Sequence, residues 1–195
     1  MKQNRWDDHY ARQARNDKWF ARSVYKLQEI DKKYDLVCKG DRLLDLGCYP
    51  GSWSQYGLQK VGPMGEVVGI DRHRPDRLSS PNFRFIQADV LTIDADRLTR
   101  EVGSRDVVIS DLAPQTTGIK SRDVSRSLSL ARRAVEIALL LLKKRGHFLC
   151  KVFEGEDFEA FKSEVSKHFN KTYLFRPKAT RKGSREIYVV GLNRS

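Results

Sequence analysis

Short apolar runs alternate with helical stretches along most of this chain, and that alternation limits the fold more than any other feature. Runs at residues 42–46, 67–71, 83–87, 106–111, 147–153, 172–175 and 187–192 have the length and composition of strands. Helical segments at 54–61, 94–102, 123–144 and 156–168 fall between them, and a further helix is expected through 20–34, where Phe20, Val24, Leu27 and Tyr34 recur near helical spacing. Parallel strands need long crossovers, usually helices, so this order predicts an α/β fold with a mostly parallel sheet and helices on both faces. The last two strands lack an intervening helix, which predicts an antiparallel hairpin at one edge. The helix at 123–144 is the clearest. Leu128, Ala131, Val135, Ala138 and Leu142 share a face, and Lys143, Lys144, Arg145 and Gly146 supply cations and a C-cap glycine.

A chain of 195 residues is the size of one domain, so residues 1–195 read as a single unit, with residues 1–22 a basic and aromatic extension. Thirty-seven Lys and Arg against 25 Asp and Glu give a net charge of +12. Such an excess favours polyanions through phosphate neutralisation and counterion release, which makes nucleic acid the first partner to consider. Cys38, Cys48 and Cys150 are odd in number and lack C-x-x-C spacing, which argues against a disulfide framework and a zinc site and fits a reducing cytoplasm. The N-terminus has no signal-like apolar core, and the longest apolar run, 137–142, is too short to cross a bilayer. The expectation is a soluble, cytoplasmic protein with no membrane partner and no resident metal.

Residues 43–56, LLDLGCYPGSWSQY, run from a strand through a glycine loop into a helix, the arrangement that holds nucleotide-like cofactors. The loop has two glycines four apart, Gly47 and Gly51, where a dinucleotide fingerprint needs three. Fewer backbone amides are then open to a pyrophosphate, and a smaller adenosine-bearing ligand suits the loop better. Asp71 closes the next strand and Asp89 follows the third. Carboxylates there can accept from ribose hydroxyls and from an adenine amino group. The set looks like the S-adenosylmethionine (SAM) site of Rossmann-type methyltransferases. Asp111 and Lys151 are charges at the ends of apolar strands, at the carboxyl edge where ligands of such sheets bind, and charges there are costly unless used or paired.

Five ordered motifs carry a closer resemblance: YKL at 25–27, DLG-x-x-PG-x-W-SQ at 45–55, SD-x-AP at 110–114, KVF-x-GE at 151–156 and SRE-x-Y at 184–188. Together they resemble the FtsJ/RrmJ family of ribose 2'-O-methyltransferases, over residues 19–192. The resemblance implies a Rossmann-like SAM-dependent methyltransferase fold with a seven-stranded sheet. It further implies a catalytic tetrad of Lys26, Asp111, Lys151 and Glu186, and SAM contacts at Gly51, Trp53, Asp71, Asp89 and Asp111. Bacterial members modify a uridine in the A loop of 23S ribosomal RNA, so the implied partner is RNA of the large ribosomal subunit, with no DNA, and the acting unit a monomer. The family loop reads GAAPGGW. This chain has Cys48, Tyr49 and Ser52 in it, a departure that bears on loop packing and SAM affinity.

Transfer to a ribose hydroxyl requires the oxygen to be held in line with the departing sulfur and its proton removed. Lys151 is the candidate base. A free lysine has a pKa near 10.4; burial and Lys26 would lower it, whereas Asp111 and Glu186 would raise it. Base C5 methylation would need a cysteine nucleophile, but Cys150, next to Lys151 on a strand, should face the other way. Rival readings are a ribose methyltransferase for transfer RNA or an mRNA cap, and a SAM- or RNA-binding assembly factor without activity. RNA contacts are expected from residues 1–22, with Trp6 and Tyr10 foremost, and from Lys171, Arg176, Lys178, Arg181, Lys182 and Arg185.

Overall fold

The computed structural model describes residues 5–195, with side chains from His9 onward, so the side chain of Trp6 lies outside the described residues. Thirteen elements follow in chain order: α1 (Arg5–Asn16), α2 (Val24–Tyr34), β1 (Arg42–Leu46), α3 (Ser52–Val61), β2 (Glu66–Asp71), β3 (Phe83–Gln87), α4 (Ala95–Glu101), β4 (Arg105–Ser110), α5 (Lys120–Leu141), β5 (Leu142–Phe153), α6 (Phe158–Ser166), β6 (Phe169–Phe175) and β7 (Glu186–Arg194). The seven strands form one sheet in the order β3-β2-β1-β4-β5-β7-β6. Only β7 runs against the others, paired antiparallel to both β5 and β6. The expected edge hairpin is present, but its second strand is inserted next to β5, leaving β6 on the edge.

Period-two alternation along the strands sorts the core into two layers. Leu44, Leu46, Val68, Ile70, Val108, Phe148 and Val152 pack with α4, α5 and α6. Leu43, Val67, Val107, Ile109, Leu149 and Tyr188 pack with α2 and α3. Cys150 is buried in the first layer, so the strand does turn it away from its neighbour Lys151. The chain leaves β1 for β2 and β3 on one side and returns to β4 on the other. The β1/β4 boundary is therefore the switch point at which such sheets bind ligands, beyond the strands' carboxyl ends.

Two expectations are corrected. The long helix ends at Leu141, and residues 142–146 continue directly into β5 rather than forming a basic last turn. Gly146 is not a C-cap: Arg145 takes the left-handed conformation (φ 67°), and Gly146 is required because a Cβ there would lie 2.9 Å from Asp106 O. The helix expected over 20–34 begins at Val24, because the segment before it docks on α3, where Phe20 N and Lys18 O exchange bonds with the Gln55 side chain (3.2 and 3.0 Å). No described helix is long and apolar enough to cross a membrane.

Asp31 fixes α2 in place. It is buried, and its Oδ1 accepts from Leu36 N and Val37 N (both 2.9 Å), closing the turn after the helix. Its Oδ2 accepts from Tyr56 Oη (2.6 Å) and Lys60 Nζ (2.9 Å), both on α3. Asp31→Ala would leave two buried amides without an acceptor and cut the α2–α3 tie. The expected loss is about 2–5 kcal/mol in denaturant unfolding; a loss under about 0.5 kcal/mol, the scale of an ordinary surface change, would show that Asp31 is not the brace.

Candidate functional site

A cavity of about 690 Å³ opens at the switch point. Most of its lining comes from the ends of four strands and the loops after them: Gly47 and Tyr49 after β1, Asp71 and His73 at the end of β2, Asp89 and Leu91 after β3, and Asp111 to Gln115 after β4, with Arg126, Ser129 and Leu130 of α5 on the remaining side. Its size and its mixture of apolar walls with a few carboxylates are those of a small-molecule site. Gly47 has φ 79°, which a side chain would strain, and a Cβ there would also meet Leu112 at 2.7 Å. Asp71, Asp89 and Asp111 thus meet around one space, as expected of a ligand bearing a ribose and an amino-purine. These residues fit SAM.

Gly51 and Trp53 stand apart from that lining. Gly51, at φ 108°, is the N-cap of α3 and packs against Phe20 and Pro75. The Trp53 ring is buried, 5.9 Å from the ring of Tyr188, and its indole N–H donates to Ser23 O at 2.9 Å. Its visible work is to hold the start of α2, three residues before Lys26. No side chain caps α3, so what this loop can offer a ligand is backbone N–H groups at a helix N-terminus.

The four residues Lys26, Asp111, Lys151 and Glu186 form two ion pairs. Lys151, on β5 two residues before the strand ends, points Nζ at Asp111, 2.9 Å from Oδ1 and 2.6 Å from the main-chain O. Lys26 Nζ lies 2.5 Å from Glu186 Oε1. The side chains retain only 6% to 18% exposure, so each charge depends on its partner. Burial pushes the Asp111 carboxyl up. The charges of Lys151 and Lys26, with hydrogen bonds from Lys151 and Tyr188, outweigh it and hold Asp111 below the usual carboxylate range.

Tyr188 escaped the sequence reading. It lies directly across β7 from Lys151, is fully buried, and its hydroxyl donates to Asp111 Oδ1 at 2.7 Å. Burial, together with Asp111 and Glu186, pushes its phenol well above the ordinary value, so it stays a donor. The motif SRE-x-Y contains it, and the period of a strand beginning at Glu186 puts Tyr188 on the same face as Glu186. That signal was available. Tyr10, one of the expected RNA contacts, packs on Tyr25 (5.6 Å between centroids) beneath the Arg22 guanidinium.

Residues 19–194 match the FtsJ-like methyltransferase family. Ribosomal RNA large subunit methyltransferase E of Desulfatibacillum aliphaticivorans is 46% identical over 188 residues, 96% of this chain and 91% of that protein. The protein of the same name from Methanothermobacter thermautotrophicus is 42% identical, over 94% of this chain and 88% of its own. The crystal structure of a Plasmodium falciparum protein described as a ribosomal RNA methyltransferase matches with a TM-score of 0.78 at 28% identity, covering 90% of this chain and 98% of that one.

Beneath the loop, Asp45 is fully buried on β1, with Ser54 Oγ donating to its Oδ2 (2.7 Å) and Oδ1 without a hydrogen-bond partner among the described residues. Burial raises its pKa to about 7, against the hydrogen bonds from Ser54. The folded value exceeds the unfolded one, near 3.9, so the unfolded chain loses this proton first as pH rises. Asp45 therefore costs stability progressively between about pH 4 and pH 7. Asp45→Asn should gain on wild type across that window, by an amount on the order of 1–4 kcal/mol in pH-resolved denaturant unfolding. Parallel stability curves for the two proteins would contradict the buried carboxyl.

Proposed function

The chain belongs to the FtsJ-like methyltransferase family and is a SAM-dependent ribosomal RNA methyltransferase, and from that premise we propose that its acceptor is the 2'-hydroxyl of a uridine in the A loop of 23S ribosomal RNA. The observation that carries the ribose reading is the pair of buried lysine–carboxylate contacts beside the cofactor cavity, with Asp111 belonging to both cavity and pairs. The four side chains come from one chain, consistent with a single copy acting on the large ribosomal subunit in the cytoplasm. Basic residues beside Glu186, among them Arg181, Lys182 and Arg185, would meet the RNA backbone.

SAM supplies an electrophilic methyl group on a sulfonium sulfur. Asp71 would accept from its ribose and Asp89 from its adenine. Asp111, with one oxygen already taken by Lys151 and Tyr188, would face both the cofactor and the acceptor. In its amine form Lys151 has two N–H donors. Both distances to Asp111 suit them, which leaves the Nζ lone pair for the proton of the 2'-hydroxyl. Tyr188 and Asp111 fix the direction of that lone pair, and the Lys26–Glu186 pair would hold the ribose beside it. Positioning and proton removal are together what an in-line transfer asks of the protein.

Lys151→Ala should lower ribose methylation by at least about 10² to 10⁴-fold, the usual contribution of a general base, while SAM affinity measured by calorimetry stays near that of wild type. Asp71→Ala should do the opposite, weakening SAM by about 1–3 kcal/mol. Substantial methylation by Lys151→Ala would reduce Lys151 to an ion-pair partner and require another base.

A further inference from the structure

The three positions at which the glycine loop departs from GAAPGGW differ in what they do. Cys48 is buried and packs against Gly69, where an added Cβ would lie 2.8 Å from its sulfur. Ser52 Oγ lies 2.9 Å from Ser23 Oγ and joins α3 to the start of α2. Tyr49 remains 56% exposed, although its backbone is fixed: its N–H donates to Asp71 Oδ2 at 3.0 Å. Packing accounts for the first two substitutions and leaves the third ring facing solvent.

Asp71 holds a second ring in the same way. His73 N donates to Asp71 Oδ1 at 2.9 Å, and the imidazole lies 5.7 Å from the Tyr49 ring, tilted by 54°. Both residues line the 690 Å³ cavity. Each carboxylate oxygen can accept twice, so Asp71 keeps capacity for ribose hydroxyls while it positions the two rings. Leu91, the other large apolar side chain exposed in this cavity, follows Asp89 and is 49% exposed. Exposed apolar side chains gathered in a concave site mark where a flat, partly apolar ligand is covered.

We propose that Tyr49, backed by His73, contacts the adenosyl group of the cofactor, its ring covering the ribose and purine from the solvent side. The contact governs how tightly the cofactor is held and takes no part in methyl transfer. It rests on SAM as the cofactor and not on the identity of the acceptor, so it is tested without RNA. Stacking of an aromatic side chain on a base is worth roughly five- to a hundred-fold in affinity.

The test is calorimetric titration of the full chain with SAM and with S-adenosylhomocysteine, which share the adenosyl group and differ at the sulfur. Tyr49→Ala should raise both dissociation constants by the same factor, about 5- to 100-fold, Tyr49→Phe should stay within about twofold of wild type, and His73→Ala should fall between them. Unchanged affinity in Tyr49→Ala, equal losses in the Ala and Phe variants, or a loss confined to SAM would each overturn the proposal. The last result would move the contact to the sulfonium end. A wild-type protein that bound neither compound would overturn the cofactor assignment and the proposal together.

Discussion

A lysine that keeps 6% of its side-chain surface needs a polar partner to be aimed, and the contact between Lys151 and Asp111 meets that requirement. Asp111 directly follows β4 and Lys151 lies on the neighbouring parallel strand β5, where Ser110 is in register with Cys150. Backbone pairing therefore sets Asp111 beside Lys151 before any side chain chooses a rotamer. Tyr188 arrives from β7, in register with Lys151, and donates to the same carboxylate. Reversing β7 between β5 and β6 is what brings Glu186 and Tyr188 to this end of the sheet. The topology and the ion pairs are two views of one constraint.

Lys26 reaches the site by a different route, from a helix outside the sheet. Four contacts hold it: Trp53 to Ser23 O, Ser52 to Ser23 Oγ, and Asp31 to both Tyr56 and Lys60. All of them join α2 to α3, the helix that the glycine loop opens. A disturbance of the cofactor loop would pass to Lys26 through covalent continuity and these four polar contacts. Trp53 therefore ties the helix that the loop opens to the start of α2 through its indole N–H, even though its ring stands outside the cavity.

Much of this was legible in the sequence because it depends on period and order. Apolar runs and helical stretches gave the seven strands and their helices, and carboxylates at strand ends announced the cavity. Where reading failed, the cause was an interaction between distant residues. The end of α5 looked like a basic last turn because Lys143 to Gly146 have the right composition, but pairing of Leu142 with Arg105 draws that segment into β5. Helix α1 was hidden by its polarity, since its contact with the rest of the chain rests on a few residues such as Ala14 and Tyr10. The task of Trp53 depends on Ser23, 30 residues earlier, and no local pattern marks such a bond. Tyr188 lies inside the motif SRE-x-Y, where the charge of Glu186, two residues earlier, masks an uncharged partner on the same strand face.

The central claim is that this arrangement methylates a ribose oxygen. It is tested most directly by incubating large ribosomal subunits that lack A-loop ribose methylation with the protein and methyl-labelled SAM. The RNA is then digested to nucleosides, which are identified by mass spectrometry. The account predicts label on the sugar of one uridine, as 2'-O-methyluridine, mapping to the A loop. Label on a base would contradict the ribose chemistry, because nothing in the pairing of Lys151, Asp111 and Tyr188 would then be needed.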